Sequence, residues 1–125
     1  MNSIFVFFGA GVGGVFRYWV SLLFVFFFGK QFPSGTLFIN VSGSFLIGLG
    51  TVLIFHRFPD SASSLRFLLL VGMLGGYTTF SAFSLETLDL LQTGHYAAGI
   101  LNIILSICLS LFAVWLGMTL GKQWE

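Results

Sequence analysis

Gly75-Gly76-Tyr77-Thr78-Thr79-Phe80-Ser81-Ala82-Phe83-Ser84 stands inside an otherwise apolar run that extends from about residue 65 to 91. A run of that length is what a membrane-spanning helix requires, but two glycines followed by hydroxyl residues weaken a helix. The stretch therefore predicts a transmembrane helix that is broken partway. Such a break exposes carbonyls and amides that hydrocarbon tolerates only inside protein or beside a water-filled cavity, which makes it a natural ion site. Phe80 and Phe83 are three apart and project from one face, as do Ser81 and Ser84. The edge of a phenyl ring carries partial positive charge, so edges aimed at a pathway attract an anion. Ordinary packing against lipid or neighbouring helices is the alternative for both rings.

The surrounding chain repeats the apolar theme. Of its 125 residues 57% are hydrophobic and 7% charged, with a mean hydropathy of +1.01, which excludes an ordinary soluble domain. Apolar runs at 4–28, 35–55, 65–91 and 97–120 predict an all-α membrane protein, a single four-helix transmembrane domain over residues 1–125. The first run lacks a basic flank and carries Arg17 in its middle, so it is expected to be a retained helix and not a cleaved signal peptide. An even number of spans puts both termini on one side. That side would hold Arg57, Arg66 and Lys122 against Lys30 on the other, a small bias toward cytoplasmic termini. So weak a bias suits a chain that inserts both ways round and pairs as an inverted, antiparallel homodimer.

Several functions are disfavoured on the same grounds. The net charge is +1 and the few basic residues are scattered, so nucleic acid is not an expected partner. Cys108 is the one cysteine and lies in an apolar stretch, where a core packing role is expected. His56 and His95 each stand where an apolar run meets a loop, with no His or Cys residue one helical turn away, so neither catalysis nor metal binding by these side chains is expected.

Each span carries a polar or small-residue stripe. Gly9, Gly13, Arg17 and Ser21 recur every four residues, as do Thr36, Asn40, Ser44 and Gly48, and Asn102, Ser106 and Ser110. Polar residues in hydrocarbon must face protein or water, so the stripes mark the interior of the assembly. Small residues alone are explained by close helix packing. Asn40 and Arg17 ask for more, since a mid-membrane asparagine has donors and an acceptor to satisfy and an arginine has five donors and a charge. Arg17 is either functional or a structural arginine bonded to backbone carbonyls.

Three motifs in order resemble the CrcB family of small fluoride channels, also called Fluc: Gly13-Gly14-Val15-Phe16-Arg17-Tyr18, Gly35-Thr36-Leu37-Phe38-Ile39-Asn40-Val41-Ser42-Gly43-Ser44-Phe45 and the third-span stretch quoted above. The resemblance covers essentially the whole chain. It implies passive, fluoride-selective conduction that exports fluoride from the cytoplasm and relieves its toxicity, by a dual-topology homodimer in the inner or plasma membrane. Each pathway would use side chains of both subunits. By matching position Phe80 and Phe83 resemble the pathway rings and Asn40 the pore-facing donor, while Ser81, Ser84, Ser106 and Ser110 resemble a polar track. Gly75 and Thr78 look like the residues whose carbonyls hold a structural Na+ at the dimer axis. Arg17 and Glu86 match further functional positions. Ala82 departs from the motif, where Thr or Ser is more usual.

Two other classes compete. A small proton-coupled drug exporter needs a titratable group in the membrane, yet the first, second and fourth spans hold no acidic residue, and Glu86 and Asp89 come late in the third. A purely structural membrane subunit explains the glycines but neither Asn40 nor the threonine-rich break.

Overall fold

The structure is a computed structural model that describes residues 1–124; Glu125 lies outside the described residues. Four helical runs are long and apolar enough to cross a membrane: Asn2–Phe28, Ser34–Arg57, Pro59–Gln92 and Tyr96–Lys122. Helix α1 spans Asn2–Phe28 and stops at Gly29, whose φ of 76° is open to glycine and strained for other residues. After the turn through Pro33, α2 spans Ser34–Arg57. The third run is composite. A single 3₁₀ turn (Pro59–Ser61) leads into α3 (Ala62–Leu65), a π-helical segment (Arg66–Leu74) and a last turn, α4 (Gly75–Tyr77). Thr78 and Thr79 are extended, and α5 (Phe80–Gln92) then resumes the span. A turn with Gly94 at φ 84° leads to α6, Tyr96–Lys122.

Small residues let backbone touch backbone at two interfaces. A Cβ on Gly13 would collide with the carbonyl of Met73, and one on Gly76 with the backbone of Ala10, so α1 and the third span meet at a separation that only glycine allows. Gly48 and Gly117 do the same for α2 and α6. Where dispersion and close packing hold helices together in lipid, such contacts replace the hydrophobic drive of a soluble core. The core is correspondingly small. Ile39 is fully buried, and Ile54, Leu70 and Leu74 cluster with Ala62, while most phenylalanines face outward, as lipid-bathed helices permit.

The glycines therefore do not break the third helix. Gly75 keeps helical angles (φ −63°, ψ −37°), and the chain opens one turn later, at Thr78 (ψ 157°) and Thr79 (φ −151°, ψ 118°). Gly76 serves packing, and two β-branched residues, which favour extended backbone, take the break. The π-helical turns were not legible either. Cys108 is exposed on α6 and not in the core, because Gly99, Asn102, Ser106 and Ala113 take the inward face. At one end of the bundle Arg57 donates through Nη2 to the carbonyl of Trp124 at 2.9 Å, tying the ends of α2 and α6 together.

A groove at the broken helix

A break in a membrane helix leaves backbone groups that must find partners, and here side chains of two other spans, α1 and α2, supply them. The Asn40 amide of α2 pairs with Thr79 twice: Nδ2 donates to the Thr79 carbonyl at 2.9 Å, and the Thr79 amide donates to Oδ1 at 2.8 Å. Asn40 thus acts as a short piece of backbone beside the extended residues. One Nδ2–H is left over. Thr79 Oγ1 accepts from the Ala82 amide at 3.1 Å and caps α5. The Arg17 guanidinium donates to the Thr78 carbonyl at 3.4 Å, so the first-span arginine reaches the break itself. Tyr77 and Ser42 share a hydroxyl contact of 3.0 Å in which Ser42 gives its proton to the Ile39 carbonyl, leaving Tyr77 as the donor.

Redirecting the Thr79 amide to Asn40 has a further consequence. In a continuous helix that amide would pair with the Gly75 carbonyl four residues back. The Gly75 carbonyl is released instead, on a residue that is exposed on the single chain.

These groups open into a groove of about 440 Å³ walled by Asn40, Ser44, Gly75, Thr78, Phe80, Phe83, Ser106 and Ser110. The rings of Phe80 and Phe83 lie with centroids 5.5 Å apart and planes at 50°. Phe80 is 79% exposed, a ring standing clear of its own chain. Ser81 and Ser84 lie off the groove on the flank of α5, a quarter turn or more from the rings. Ser84 donates to the Phe80 carbonyl at 2.9 Å, and Ser81 pairs with Thr79 Oγ1 at 3.2 Å.

Behind the groove lies a buried network. Asn102, 1% exposed, donates through Nδ2 to Thr87 Oγ1 at 2.9 Å, and its Oδ1 accepts from Ser106 Oγ at 3.4 Å. Thr87 was not singled out from the sequence. A signal existed, for Thr87 follows Phe80 and Phe83 at helical spacing and so continues their face.

Glu86 belongs to a different space, a cavity of about 800 Å³ beneath the α1–α2 turn that also takes in Lys30, Asp89 and His95. There Thr36 donates to Glu86 Oε1 at 2.9 Å, while Oε2 is buried without a hydrogen-bond partner among the described residues. The candidate residues thus divide. Asn40, Gly75, Thr78, Phe80, Phe83, Ser106 and Ser110 share the groove, with Arg17 at its edge, and Glu86 stands apart from them.

Four apolar spans, one of them discontinuous, with a polar groove at the discontinuity, define a multi-pass helical membrane protein of the kind that carries small solutes or ions. The chain belongs to the family described as CrcB-like protein, Camphor Resistance (CrcB), which it matches over residues 4–118. It is 48% identical over 123 residues to a protein of Coxiella burnetii (strain Dugway 5J108-111), covering 98% of this chain and 99% of that one. A Shewanella woodyi protein is 44% identical over 119 residues, with 95% and 94% covered. One from Methylococcus capsulatus is 49% identical over 115 residues, 92% of this chain but 50% of its own length. All three carry the name Fluoride-specific ion channel FluC.

Proposed function

We propose that the chain works as an antiparallel homodimer that conducts fluoride passively across the membrane, relieving the cytoplasm of fluoride. The observation that carries this is the groove, in which a leftover Asn40 N–H, serine hydroxyls and two phenyl rings converge with no titratable side chain among its walls. Fluoride is small and strongly hydrated. Neutral donors and ring edges can replace its water in turn, where a lysine would hold it fast. A proton-coupled exporter would need a carboxylate in the path, and Glu86 lies in the other cavity.

Each copy leaves its groove and the Phe80 ring open at membrane depth. A second copy, inverted, would cover them and bring two sets of walls together. The Gly75 carbonyl, released by Asn40, and the Thr78 carbonyl, which shares a long contact with Arg17, fit a hard cation such as Na+, since both are neutral oxygen donors. Two such carbonyls from each copy would hold it at the dimer axis, where its charge would stabilise helix ends that lipid cannot solvate. Purified protein in liposomes loaded with fluoride or chloride decides the matter. Rapid fluoride release with chloride retained is the expected result, and equal or absent release of both would overturn it.

A further inference from the structure

Ser106 and Ser110 both face the groove, but their hydroxyls are not equivalent. A serine has one proton to give. Ser106 gives it to Asn102 Oδ1, so its oxygen turns only lone pairs toward the groove. Ser110 has no hydrogen-bond partner among the described residues and can turn its proton inward. At 3.4 Å the Ser106 bond is longer than the usual 2.5–3.0 Å for a hydroxyl donor and therefore weak. The amide that accepts it is well fixed, for Asn102 is 1% exposed and anchored at 2.9 Å to Thr87, itself 6% exposed.

We propose that Thr87 and Asn102 are a positioning pair that holds the Ser106 proton away from the groove until an anion competes for it. This rests on fluoride conduction through the same groove and adds a mechanism for it. The passing ion gains a donor at Ser106 only by breaking the Asn102 bond, so it is held less tightly there than at Ser110. Weak, sequential sites let an ion leave as readily as it enters.

Removing the competitor should therefore tighten binding. In Asn102→Ala the Ser106 proton is free to face the groove, and the fluoride concentration giving half-maximal efflux should fall about threefold to tenfold, the worth of one hydrogen bond. Maximal efflux per dimer should fall with it, as the ion leaves more slowly. Thr87→Val, which releases the amide, should shift the half-maximal concentration in the same direction, and Thr87→Ser should restore it. A pair that only supports the fold would lower the yield of dimer and leave that concentration where it was; such a result in Asn102→Ala and Thr87→Val dimers would overturn the proposal.

A second readout does not depend on conduction. With asparagine side chains labelled by ¹³C, solid-state NMR of the protein in lipid should show the Asn102 carbonyl resonance move in Ser106→Ala, because its hydroxyl donor is gone. No movement would mean that the amide sits the other way round and that Ser106 keeps its proton, which would also overturn the proposal. Wild-type protein that released no fluoride would instead overturn the proposed function, while the carbonyl shift would still decide whether the Ser106 proton is held.

Discussion

Asn40 serves the break and the groove with one side chain, and substitutions separate the two roles. In Asn40→Ala both the amide and the carbonyl of Thr79 lose their partner. Each unpaired backbone group costs about 1–3 kcal/mol, so the variant should lose fluoride flux and also melt several degrees lower as a dimer in detergent. Asn40→Asp keeps the acceptor for the Thr79 amide but loses the donor and adds a repelling charge; it should hold more of its stability and none of its flux. The phenylalanines allow the reverse dissociation. If ring edges attract fluoride, Phe80→Ile and Phe83→Ile should sharply reduce efflux while dimer content by size-exclusion chromatography stays normal, since Ile offers similar apolar area without an electropositive rim. Full flux in both would make the rings packing residues. Ala82→Thr should change little, because the position off the groove is held through its backbone amide, which Thr79 caps. At this scale the sequence was informative wherever cost marks a residue: a mid-membrane asparagine or arginine must have a partner, and both do. Thr87 carries a weaker mark, its helical spacing from Phe80 and Phe83, because a threonine in a helix can satisfy itself with its own backbone at little cost and so demands no partner.

The third span shows what element-level patterns contain and what they omit. Its existence follows from apolar length, and that it breaks follows from Gly75 to Ser84, yet the position of the break was decided by α1. Gly76 is pressed against Ala10 and stays helical, so the chain can open only beyond that contact, where Thr78 and Thr79 accept extended angles and Asn40 waits to pair with them. Periodicity within one span carries no record of how closely another span approaches. The π-helical turns Arg66–Leu74 were hidden for the same reason, since they lie against α1. A paired test follows. Gly76→Ala must push α1 and the third span apart, and should abolish a stable dimer or lower its melting temperature by many degrees. Gly11→Ala and Gly14→Ala, where an added methyl meets nothing within 4 Å, should be neutral or slightly stabilising in the same assay through the better helix propensity of alanine. Thr79→Val removes the cap of α5 and should cost about 1 kcal/mol, an intermediate result that separates the cap from the packing.

For the molecule as a whole, the stripes prove to be divided between two purposes. Gly9, Gly13, Gly48, Gly117 and Gly121 are buried within one chain, so a single copy hides these small residues by itself. What it leaves open is more specific: the groove with Asn40, Ser44 and Ser110, the released Gly75 carbonyl, and a Phe80 ring 79% exposed. Lipid could cover the ring but not the carbonyl or the amide, each of which would cost several kcal/mol in hydrocarbon. A second copy can cover all of them. If it does so inverted, the halves meet across a two-fold axis in the membrane plane, and the Na+ ion proposed above would lie among the Gly75 and Thr78 carbonyls of both copies. A Na+ ion there predicts that dimers kept in rigorously Na+-free medium dissociate or melt earlier, with flux restored on adding Na+ but not by a bulky organic cation; unchanged stability and flux would leave no role for the ion. Orientation is tested separately. After Cys108→Ser removes the exposed native thiol, a single cysteine placed in the turn at Gly94 should react from either side of the membrane in about equal numbers of molecules, since the charge bias is too small to fix one topology. Crosslinks should join subunits labelled from opposite sides. Labelling from one side in every molecule would mean a parallel arrangement, in which the two breaks could meet only side by side and the shared carbonyl site would be lost.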